Sequence, residues 1–207
     1  MKIIAISDTH GLHKDLDLPE GDVLVHAGDF SYYEDQPRVV DFLAWLDRQD
    51  FEHKILIGGN HDFVAAERPD YFQQLLPESI IYLYNSGTTI DGIRFWGSPY
   101  QPDLKGWAFG EDRGEPMRKH WQQIPNDTNI LVTHTPPFGI LDESRSGRRY
   151  GCEELSKRLE ELSVNVHIFG HIHSGYGQQQ IGKTIYINAA NYNSNKGLTN
   201  PPLVFEV

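Results

Sequence analysis

The sequence predicts an α/β fold in which buried strands alternate with amphipathic helices. Three short apolar runs near the amino terminus each end in polar or glycine residues, as strands buried on both faces do. A segment with helical apolar spacing separates the second run from the third, as expected of a crossover helix between parallel strands. The second half of the chain repeats this alternation. The length of 207 residues favours one domain, residues 1–207.

The amino-terminal part contains the clearest strand signals. The strands are predicted in KIIAIS from residue 2, DVLVHAGD from residue 22 and KILIGGN from residue 54. Between the last two, QPRVVDFLAWLDRQD carries Val39, Phe42 and Leu46 at helical spacing. These elements form a βαβ unit, which places their strands in parallel.

The middle of the chain changes character. IIYLYNSGTTIDGIRFWGSP, residues 80–99, has β-type residues on both sides of Asp91-Gly92, a dipeptide that favours a two-residue hairpin turn. Residues 98–128 are rich in Pro, Gly, Trp and charge and have no clear period, so we expect a long, partly helical loop.

The carboxyl-terminal part returns to the first pattern. NILVTHTPP from residue 129 and VNVHIFGHIH from residue 164 are predicted strands, and CEELSKRLEEL from residue 152 is a predicted helix. TIYINAA from residue 184 and LVFEV from residue 203 close the fold as further strands.

Composition limits the classes of function. The formal net charge of -11 argues against broad binding to DNA or RNA, because an acidic surface repels the phosphate backbone. The single cysteine, Cys152, excludes an intrachain disulfide and a zinc cluster of several thiolates. The apolar run at the start of the chain is too short for a signal peptide or a membrane-spanning helix. We therefore expect a cytoplasmic protein that does not bind membranes, and its oligomeric state stays open.

Residues able to bind metals follow five of the predicted strands. The carboxyl ends of parallel strands meet at one edge of a sheet, where ligands collect, so these residues should converge. They are Asp8, His10, Asp29, Asn60, His61, His134, His171 and His173. Oxygen and imidazole donors without thiolates are a suitable ligand set for divalent transition metals.

Each of these signals has an ordinary explanation when taken alone. Asp8 or Asp29 could cap a helix, a histidine at a strand end is commonly a hydrogen-bonded polar residue, and GNHD could be a simple turn. The metal interpretation is favoured because the ordinary explanation would have to apply separately at all five strand ends.

The same residues lie in five ordered blocks that resemble the calcineurin-like metallophosphoesterases. The blocks are SDTHG at 7–11, AGDF at 27–30, GGNHD at 58–62, THTPP at 133–137 and GHIH at 170–173. The segments GSPYQP, HTPPFGILD and GHIHSGYG look most like the small metallophosphodiesterase subgroup. Some members of that subgroup lack one histidine of the last block, whereas this chain keeps both.

The resemblance implies a four-layer αββα sandwich with two mixed β-sheets. It also implies that Asp8, His10, Asp29 and His173 hold one divalent cation, and that Asp29, Asn60, His134 and His171 hold a second. The cations would be Mn, Fe, Zn, Co or Ni, and a hydroxide bridging them would attack a phosphodiester.

His61 is the residue of the third block that ligation does not require. We expect it to face the substrate as a catalytic residue, stabilising the phosphoryl oxygens or protonating the leaving alkoxide. The neighbouring Asp62 would either orient His61 or cap the following segment, and the sequence leaves both roles open.

Other polar and aromatic residues have weaker signals. Arg145, Arg148 and Arg149 form a basic loop that either grips a phosphate or is solvated. Aromatic residues at 96, 100, 107 and 109 either stack on a nucleobase or cover a sheet. We expect the remaining histidines to be structural or solvated, with His13 nearest the site; they are His13, His26, His53, His120 and His167.

The resulting hypothesis is a phosphodiesterase acting on a small phosphoester such as a nucleotide, with its substrate-binding residues unassigned. A phosphomonoesterase would use the same two-metal site. A nuclease would have to overcome the acidic charge. A non-catalytic scaffold on this fold should lack some ligands, and this chain lacks none of them.

Overall fold

The computed structural model describes residues 1–33, 35–103, 105–193 and 197–207. It contains fifteen strands and five α-helices in these ranges. In chain order the strands are β1 (Lys2–Ile6), β2 (Val23–His26), β3 (His53–Leu56), β4 (Ile80–Tyr82), β5 (Ser86–Ile90), β6 (Ile93–Ser98), β7 (Gln101–Pro102), β8 (Gly110–Glu111), β9 (Ile130–Thr133), β10 (Val166–Phe169), β11 (Gly177–Ile181), β12 (Thr184–Asn188), β13 (Tyr192–Asn193), β14 (Gly197–Leu198) and β15 (Leu203–Glu206). The helices are α1 (Gln36–Asp47), α2 (Phe63–Glu67), α3 (Pro69–Leu75), α4 (Glu115–Trp121) and α5 (Glu153–Glu161).

Two large sheets hold most of these strands. The first has the order β15-β1-β2-β3-β4, and the second has the order β11-β12-β10-β9-β6-β5. Both are mixed: the inner pairs are parallel, whereas β15, β11 and β5 pair with antiparallel neighbours. Two small two-stranded sheets, β7-β8 and β13-β14, lie outside them.

Alternating side chains along β1 show how the layers are stacked. Ile3 and Ala5 pack into a core that also contains Phe95 and Val132 of the second sheet, so the two sheets face each other. The opposite face of the first sheet packs under α1, α2 and α3. The outer face of the second sheet packs under α4 and α5. The predicted four-layer αββα arrangement with two mixed sheets is therefore confirmed.

Strand β4 does not belong to the hairpin predicted in residues 80–99. The hairpin turn at Asp91-Gly92 is present, because Ile90 pairs with Ile93 across β5 and β6. Strand β4, however, runs parallel to β3 in the first sheet, so the chain passes from one sheet to the other after Tyr82. Local propensity identified a strand there but gave no information on which sheet it joins.

Several short elements lie in segments whose residue pattern indicates no helix or strand. Helices α2 and α3 follow the third block, α4 lies in the predicted loop 98–128, and β11 is a glutamine-rich edge strand. The edge position explains β11, since a strand exposed on one side needs no apolar run. No helix in the described ranges is both long and apolar enough to cross a membrane.

The two-sheet architecture positions the site. The residues after β1, β2 and β3 of the first sheet meet those after β9 and β10 of the second at the carboxyl ends of these strands. Backbone bonds join the strand ends within each sheet, from the Asp8 amide to the Gly28 carbonyl (2.9 Å) and from the Gly170 amide to the His134 carbonyl (3.1 Å). Between the sheets, the His171 amide donates to the Asp8 carboxylate at 3.0 Å.

Two buried histidines make the stability of this core depend on pH. Burial lowers the pKa of His26 and of His167 to about 3, and each ring bonds a threonine hydroxyl, His26 that of Thr9 and His167 that of Thr133. The unfolded chain takes up a proton near pH 6.5, but the folded rings stay neutral. The stability contribution is therefore complete above that value and declines as the pH falls below it.

His167→Gln should make unfolding less sensitive to acid. Between pH 7.5 and 5.5, wild-type His167 costs about 1.4 kcal/mol of stability through this linkage, and the variant should lose correspondingly less over the same interval. Urea unfolding of the metal-free protein at both pH values measures the difference. An identical acid loss in the two proteins would contradict the neutral, buried state of His167.

Candidate metal centre

All seven predicted ligand residues, together with His61, lie at the shared edge of the two sheets. On one side, His173 Nε2 is 3.2 Å from Asp8 Oδ1 and 3.3 Å from His10 Nε2. On the other side, Asn60 Oδ1 is 3.0 Å from His134 Nε2 and 2.8 Å from His171 Nδ1. The structure thus brings the predicted residues together as two adjacent groups of donor atoms.

Asp29 lies between these two groups. Its Oδ2 atom is 3.4 Å from His134 Nε2, 4.0 Å from His10 Nε2 and 3.9 Å from His61 Nε2. Its other carboxylate oxygen accepts a hydrogen bond from the His61 backbone amide at 2.8 Å. One oxygen is therefore fixed by the backbone, and the other points to where the two groups meet.

The backbone at several of these residues is strained. Asp8, His10, Asp29 and His171 have φ angles of 55°, 46°, 57° and 67°, in the left-handed region that residues other than glycine rarely adopt. Such conformations persist only where surrounding contacts enforce them. At His171 the enforcing contact is a bond from its amide to both oxygens of the Asp8 carboxylate, at 3.1 and 3.0 Å.

Two glycines allow the strand ends to approach closely. A Cβ atom on Gly59 would lie 2.5 Å from the Asp29 amide nitrogen and 2.7 Å from His134 Cε1. A Cβ atom on Gly170 would overlap the Asp8 carboxylate. Any larger residue would therefore displace a ligand side chain, which explains why glycine precedes the ligands in both blocks.

Asp62 stands at the N-cap position of α2, but its side chain has neither of the roles that the sequence left open. Its side chain makes no capping bond to α2 and does not bond the His61 ring. Instead it is fully buried and accepts four bonds: from the amides of Gly59 (2.7 Å), Asp29 (2.9 Å) and Ser31 (2.9 Å), and from the Ser31 hydroxyl (2.7 Å). It ties the loop after β2 to the loop after β3. Burial and the nearby Asp29 charge raise its pKa to about 7, although these donors oppose the rise.

The carboxylates and two of the histidines form acid–base pairs. Burial by itself would raise the pKa of Asp8 and Asp29, but the facing histidines outweigh it and hold both well below the usual value. Burial likewise opposes protonation of His134, yet the charge and hydrogen bond of Asp29 raise its pKa to about 9. The pKa of His173 is raised beside Asp8 in the same way.

The remaining histidines of the cluster stay neutral. Burial lowers the pKa of His171 to about 3, and it also lowers those of His10 and His61. His134 is fixed further by its Nδ1 atom, which lies 2.9 Å from the Ala27 carbonyl. A bond to that carbonyl leaves Nε2 facing the cluster, the usual orientation of a metal-binding histidine.

These residues fit a divalent metal site. Asp8, His10 and His173 form one group, His10, Asp29 and His61 a second, and Asp8, Asp29 and His134 a third, with ligand atoms within 4.8 Å of one another in each. The donors are buried carboxylate and imidazole groups with an amide oxygen nearby, a set that suits Mn, Fe, Co, Ni or Zn. Like groups such as His10 Nε2 and His173 Nε2 also face each other, as they would around a shared cation.

His61 is held by aromatic rings. Tyr32 stacks on its face with centroids 4.9 Å apart, and Trp107 meets it edge-on at 4.7 Å. Its Nδ1 atom is buried and has no hydrogen-bond partner among the described residues. The sequence missed Tyr32 and considered Trp107 only as part of a group; the available signal was the pair of tyrosines directly after the second block.

Two cavities open on the cluster. We call the first the Arg145 cavity, which has a volume of about 490 Å³ and is lined by Arg145, Tyr150, His171 and His173 with several serines. We call the second the Tyr32 cavity, which has a volume of about 400 Å³ and is lined by Tyr32, Tyr192, Arg38, Leu12, His10, His61 and His173. Both volumes are in the range of small-molecule sites.

The other residues considered from the sequence lie elsewhere. His13 packs against Phe42 and Trp45 beside α1, and His120 stacks on Tyr100. Trp96 packs against the core under α4 and α5. Arg149 pairs with Asp142 and Glu143, and Arg148 lies over the Tyr150 ring. Only Trp107 of the four aromatic residues contacts His61.

Comparison with known proteins gives a consistent result. Residues 1–175 match the family model of the calcineurin-like phosphoesterases. The whole chain is 36% identical over 230 residues to Metallophosphoesterase domain-containing protein 1 of Homo sapiens and covers 71% of it. It is 38% identical over 220 residues to a UPF0046 protein of Caenorhabditis elegans and covers 75% of that protein.

Solved structures share the fold. A Thermus thermophilus protein of known crystal structure superposes with a TM-score of 0.61 at 14% identity, covering 90% of this chain and 88% of its own. GAP50, the anchor in the inner membrane complex of Plasmodium, superposes with a TM-score of 0.56 at 12% identity, covering 99% and 80%. At these identities the likeness concerns the fold alone.

Asp62→Asn should destabilise the protein strongly. The amide group of asparagine would direct its own N–H donors at backbone donors, leaving buried groups unpaired, and we expect a loss of about 2–4 kcal/mol in the free energy of unfolding. Urea unfolding of the metal-free protein at pH 8 measures it. The exposed Asp17→Asn serves as the control and should change stability by less than about 0.5 kcal/mol. Equal stabilities of the two variants would contradict the proposed tie.

Metal binding should strengthen as the pH rises. In the metal-free protein the raised pKa values of His134 and His173 keep protons on these rings near neutral pH, and a cation must displace them. Mn²⁺ affinity should rise about tenfold or more from pH 6 to pH 8, with proton release detectable by calorimetry in buffers of different ionisation enthalpy. His120→Gln, remote from the cluster, should leave the release unchanged. A constant affinity over this range would contradict these protonation states.

Proposed function

The chain belongs to the calcineurin-like phosphoesterase family, and from that premise we propose that it hydrolyses phosphodiesters with two divalent cations. The resemblance of the five sequence blocks is thereby confirmed, and membership implies a hydrolase of phosphoester bonds. The observation that carries the two-metal part is the position of Asp29, whose Oδ2 atom lies between two groups of ligand atoms.

The residues divide naturally between two cations. Those around His173, with Asp29, would hold the first; those around Asn60, with Asp29 again, would hold the second. The first set is Asp8, His10, Asp29 and His173, and the second is Asp29, Asn60, His134 and His171. When bound, two such cations supply Lewis acidity and make water a nucleophile near neutral pH.

The protein itself would contribute the positions of the ligands and a histidine, His61, that can pass on a proton. Asp62 and the strained strand ends hold the ligands before any substrate binds, so little reorganisation is needed. His61 lies beside Asp29 but belongs to the wall of the Tyr32 cavity, where it can face substrate. We assign it the stabilisation of the phosphoryl oxygens or the transfer of a proton to the leaving alkoxide. Tyr32 and Trp107 restrict its ring to that orientation.

The preference for a diester is supported by the two cavities. The Arg145 cavity adjoins His171 and His173, whereas the Tyr32 cavity adjoins His10 and His61. A phosphodiester carries a substituent on each side of phosphorus, so each cavity can accept one. A phosphomonoesterase would need only one of them. A non-catalytic scaffold is disfavoured because the chain carries every residue of the predicted ligand set as well as His61.

The proposed substrate is a small phosphoester, such as a nucleotide, and the proposed location is the cytoplasm. The acidic net charge of -11 disfavours long nucleic acids. The one cysteine, Cys152, is unpaired and buried, which accords with a reducing compartment.

The Mn²⁺-loaded protein should hydrolyse bis-p-nitrophenyl phosphate with a higher kcat/KM than p-nitrophenyl phosphate. We expect a difference of about tenfold or more, because the second substituent gains contacts in the second cavity. Release of p-nitrophenolate measures both rates, and a chelator should abolish them. A reversed preference would favour the phosphomonoesterase, and activity on neither substrate with metals bound would favour the scaffold.

The variant His61→Ala tests the role assigned to His61. We expect kcat to fall by about 10²-fold or more while metal content, measured by elemental analysis, stays at the wild-type value. Loss of metal would show that His61 is a ligand, contrary to its assigned role.

A further inference from the structure

The Arg145 cavity is formed by an ordered loop. Within it the Ser144 amide bonds the Arg148 carbonyl (2.8 Å) and the Gly147 amide bonds the Ser144 carbonyl (2.9 Å). The Ser174 hydroxyl donates to the Glu143 carbonyl (2.7 Å), which joins this loop to the residues after His173. The cavity wall is therefore connected directly to the metal centre.

Asp142 braces the same loop from beneath. It is fully buried and accepts bonds from Arg149 (2.6 Å) and from the amides of Gly139 (3.0 Å) and Gly151 (3.2 Å). The loop conformation is consequently fixed before a ligand binds, which lowers the entropic cost of binding.

The three arginines of this loop are in different electrostatic states. Arg149 is neutralised by Asp142 and Glu143, and Arg148 lies over the Tyr150 ring, 4.8 Å from its centroid. Arg145 bonds the neutral side-chain oxygen of Asn193 (2.7 Å) and pairs with no carboxylate in the described part of the chain. Arg148 has no carboxylate partner in that part of the chain either, but it does not line the cavity. Arg145 is therefore the uncompensated cation of the cavity wall, in a protein of net charge -11.

The side chains that line the Arg145 cavity suit an anionic ligand that also carries hydroxyl groups. Ser144 and Ser146 place hydroxyl oxygens 2.9 Å apart on the wall beside Arg145, and Tyr150 supplies an aromatic surface. Guanidinium and hydroxyl groups together are common in phosphate recognition, because arginine can donate two parallel bonds to one phosphate. The Tyr32 cavity differs, since its arginine, Arg38, is paired with Asp35 at 2.7 Å.

The position of His61 gives the substrate a direction. His61 lines the Tyr32 cavity and not the Arg145 cavity. In the second of its two assigned roles His61 would contact the leaving oxygen, and its place in the cavity wall would then put the leaving group on the same side of phosphorus. If the proposed function holds, the leaving group occupies the Tyr32 cavity and the retained half of the diester occupies the Arg145 cavity.

We propose that the Arg145 cavity binds the retained half of the substrate through a second phosphate, so the preferred substrate is a diester whose retained half is a phosphorylated nucleoside. In the reaction a bond forms between water oxygen and phosphorus, and the bond from phosphorus to the leaving oxygen breaks. The leaving oxygen takes the proton that the attacking water gives up, so no further reactant is needed. The product keeps both phosphates, as a nucleoside bisphosphate.

Two chromogenic substrates test this inference with the Mn²⁺-loaded protein. Thymidine 5′-(p-nitrophenyl phosphate) and its 3′-phosphorylated form have the same leaving group and differ only in the second phosphate. We expect the 3′-phosphate to lower KM roughly three- to tenfold, with little change in kcat, because an exposed arginine is partly screened. Added salt should reduce the difference.

Variants identify the residue responsible. Arg145→Ala should abolish the discrimination between the two substrates, and Arg145→Lys should restore part of it. Arg148→Ala is the matched control: the same loop loses a charge of the same sign, and the discrimination should stay at the wild-type value. Equal losses in Arg145→Ala and Arg148→Ala would overturn the inference, because the effect would then be the general charge of the loop.

Calorimetry provides a readout independent of turnover. Thymidine 3′,5′-bisphosphate should bind the Mn²⁺-loaded wild-type protein more tightly than thymidine 5′-monophosphate, and Arg145→Ala should bind the two equally. Hydrolysis without any effect of the 3′-phosphate would overturn this inference and leave the proposed function intact. Failure to hydrolyse either substrate or bis-p-nitrophenyl phosphate, with metals bound, would instead overturn the proposed function.

Discussion

The candidate metal centre depends on one buried carboxylate that binds no metal in our assignment. Asp62 accepts bonds from the amides of Gly59, Asp29 and Ser31, and so it fixes the loops after β2 and β3 relative to each other. The Asp29 amide it holds belongs to the residue that lies between the two ligand groups. A buried carboxylate is costly unless its oxygens are paired, and here four donors pair them. The interaction that stabilises the fold is therefore also the one that positions the ligands.

The candidate ligand residues combine strained backbone with buried charge. Groups around them offset the energetic cost of both. Left-handed backbone at Asp8 and Asp29 turns their side chains into the interface between the sheets, at a cost in conformational energy. Facing histidines then stabilise the two buried carboxylates by carrying protons. Cations bound by the same side chains would replace those protons. The centre is thus preorganised for positive charge in either form.

The metal centre has an aromatic environment on one side and a polar environment on the other. Around His61 the surroundings are aromatic, from Tyr32 and Trp107, and restrict one imidazole ring. Around His171 and His173 they are polar, from a braced loop that leaves Arg145 without a carboxylate partner in the described structure. This asymmetry supports a substrate with two unlike halves.

Local signals in the sequence, namely apolar runs and the polar residues that end them, were enough to predict the main strands, the α/β class and the polar residues that gather at the strand ends. Parallel strands end at a common edge, so Asp8, Asn60 and His134 could be expected to meet there. Only the tertiary structure decided that β4 joins the first sheet, that Asp62 ties two loops and that Arg145 differs from Arg148 and Arg149. The first two depend on contacts between residues far apart in the chain, and the third depends on which nearby side chain each arginine contacts. Such contacts leave no periodic pattern in the sequence. The same limit applies to Tyr32, whose contact with His61 arises only when the two strand ends are brought side by side.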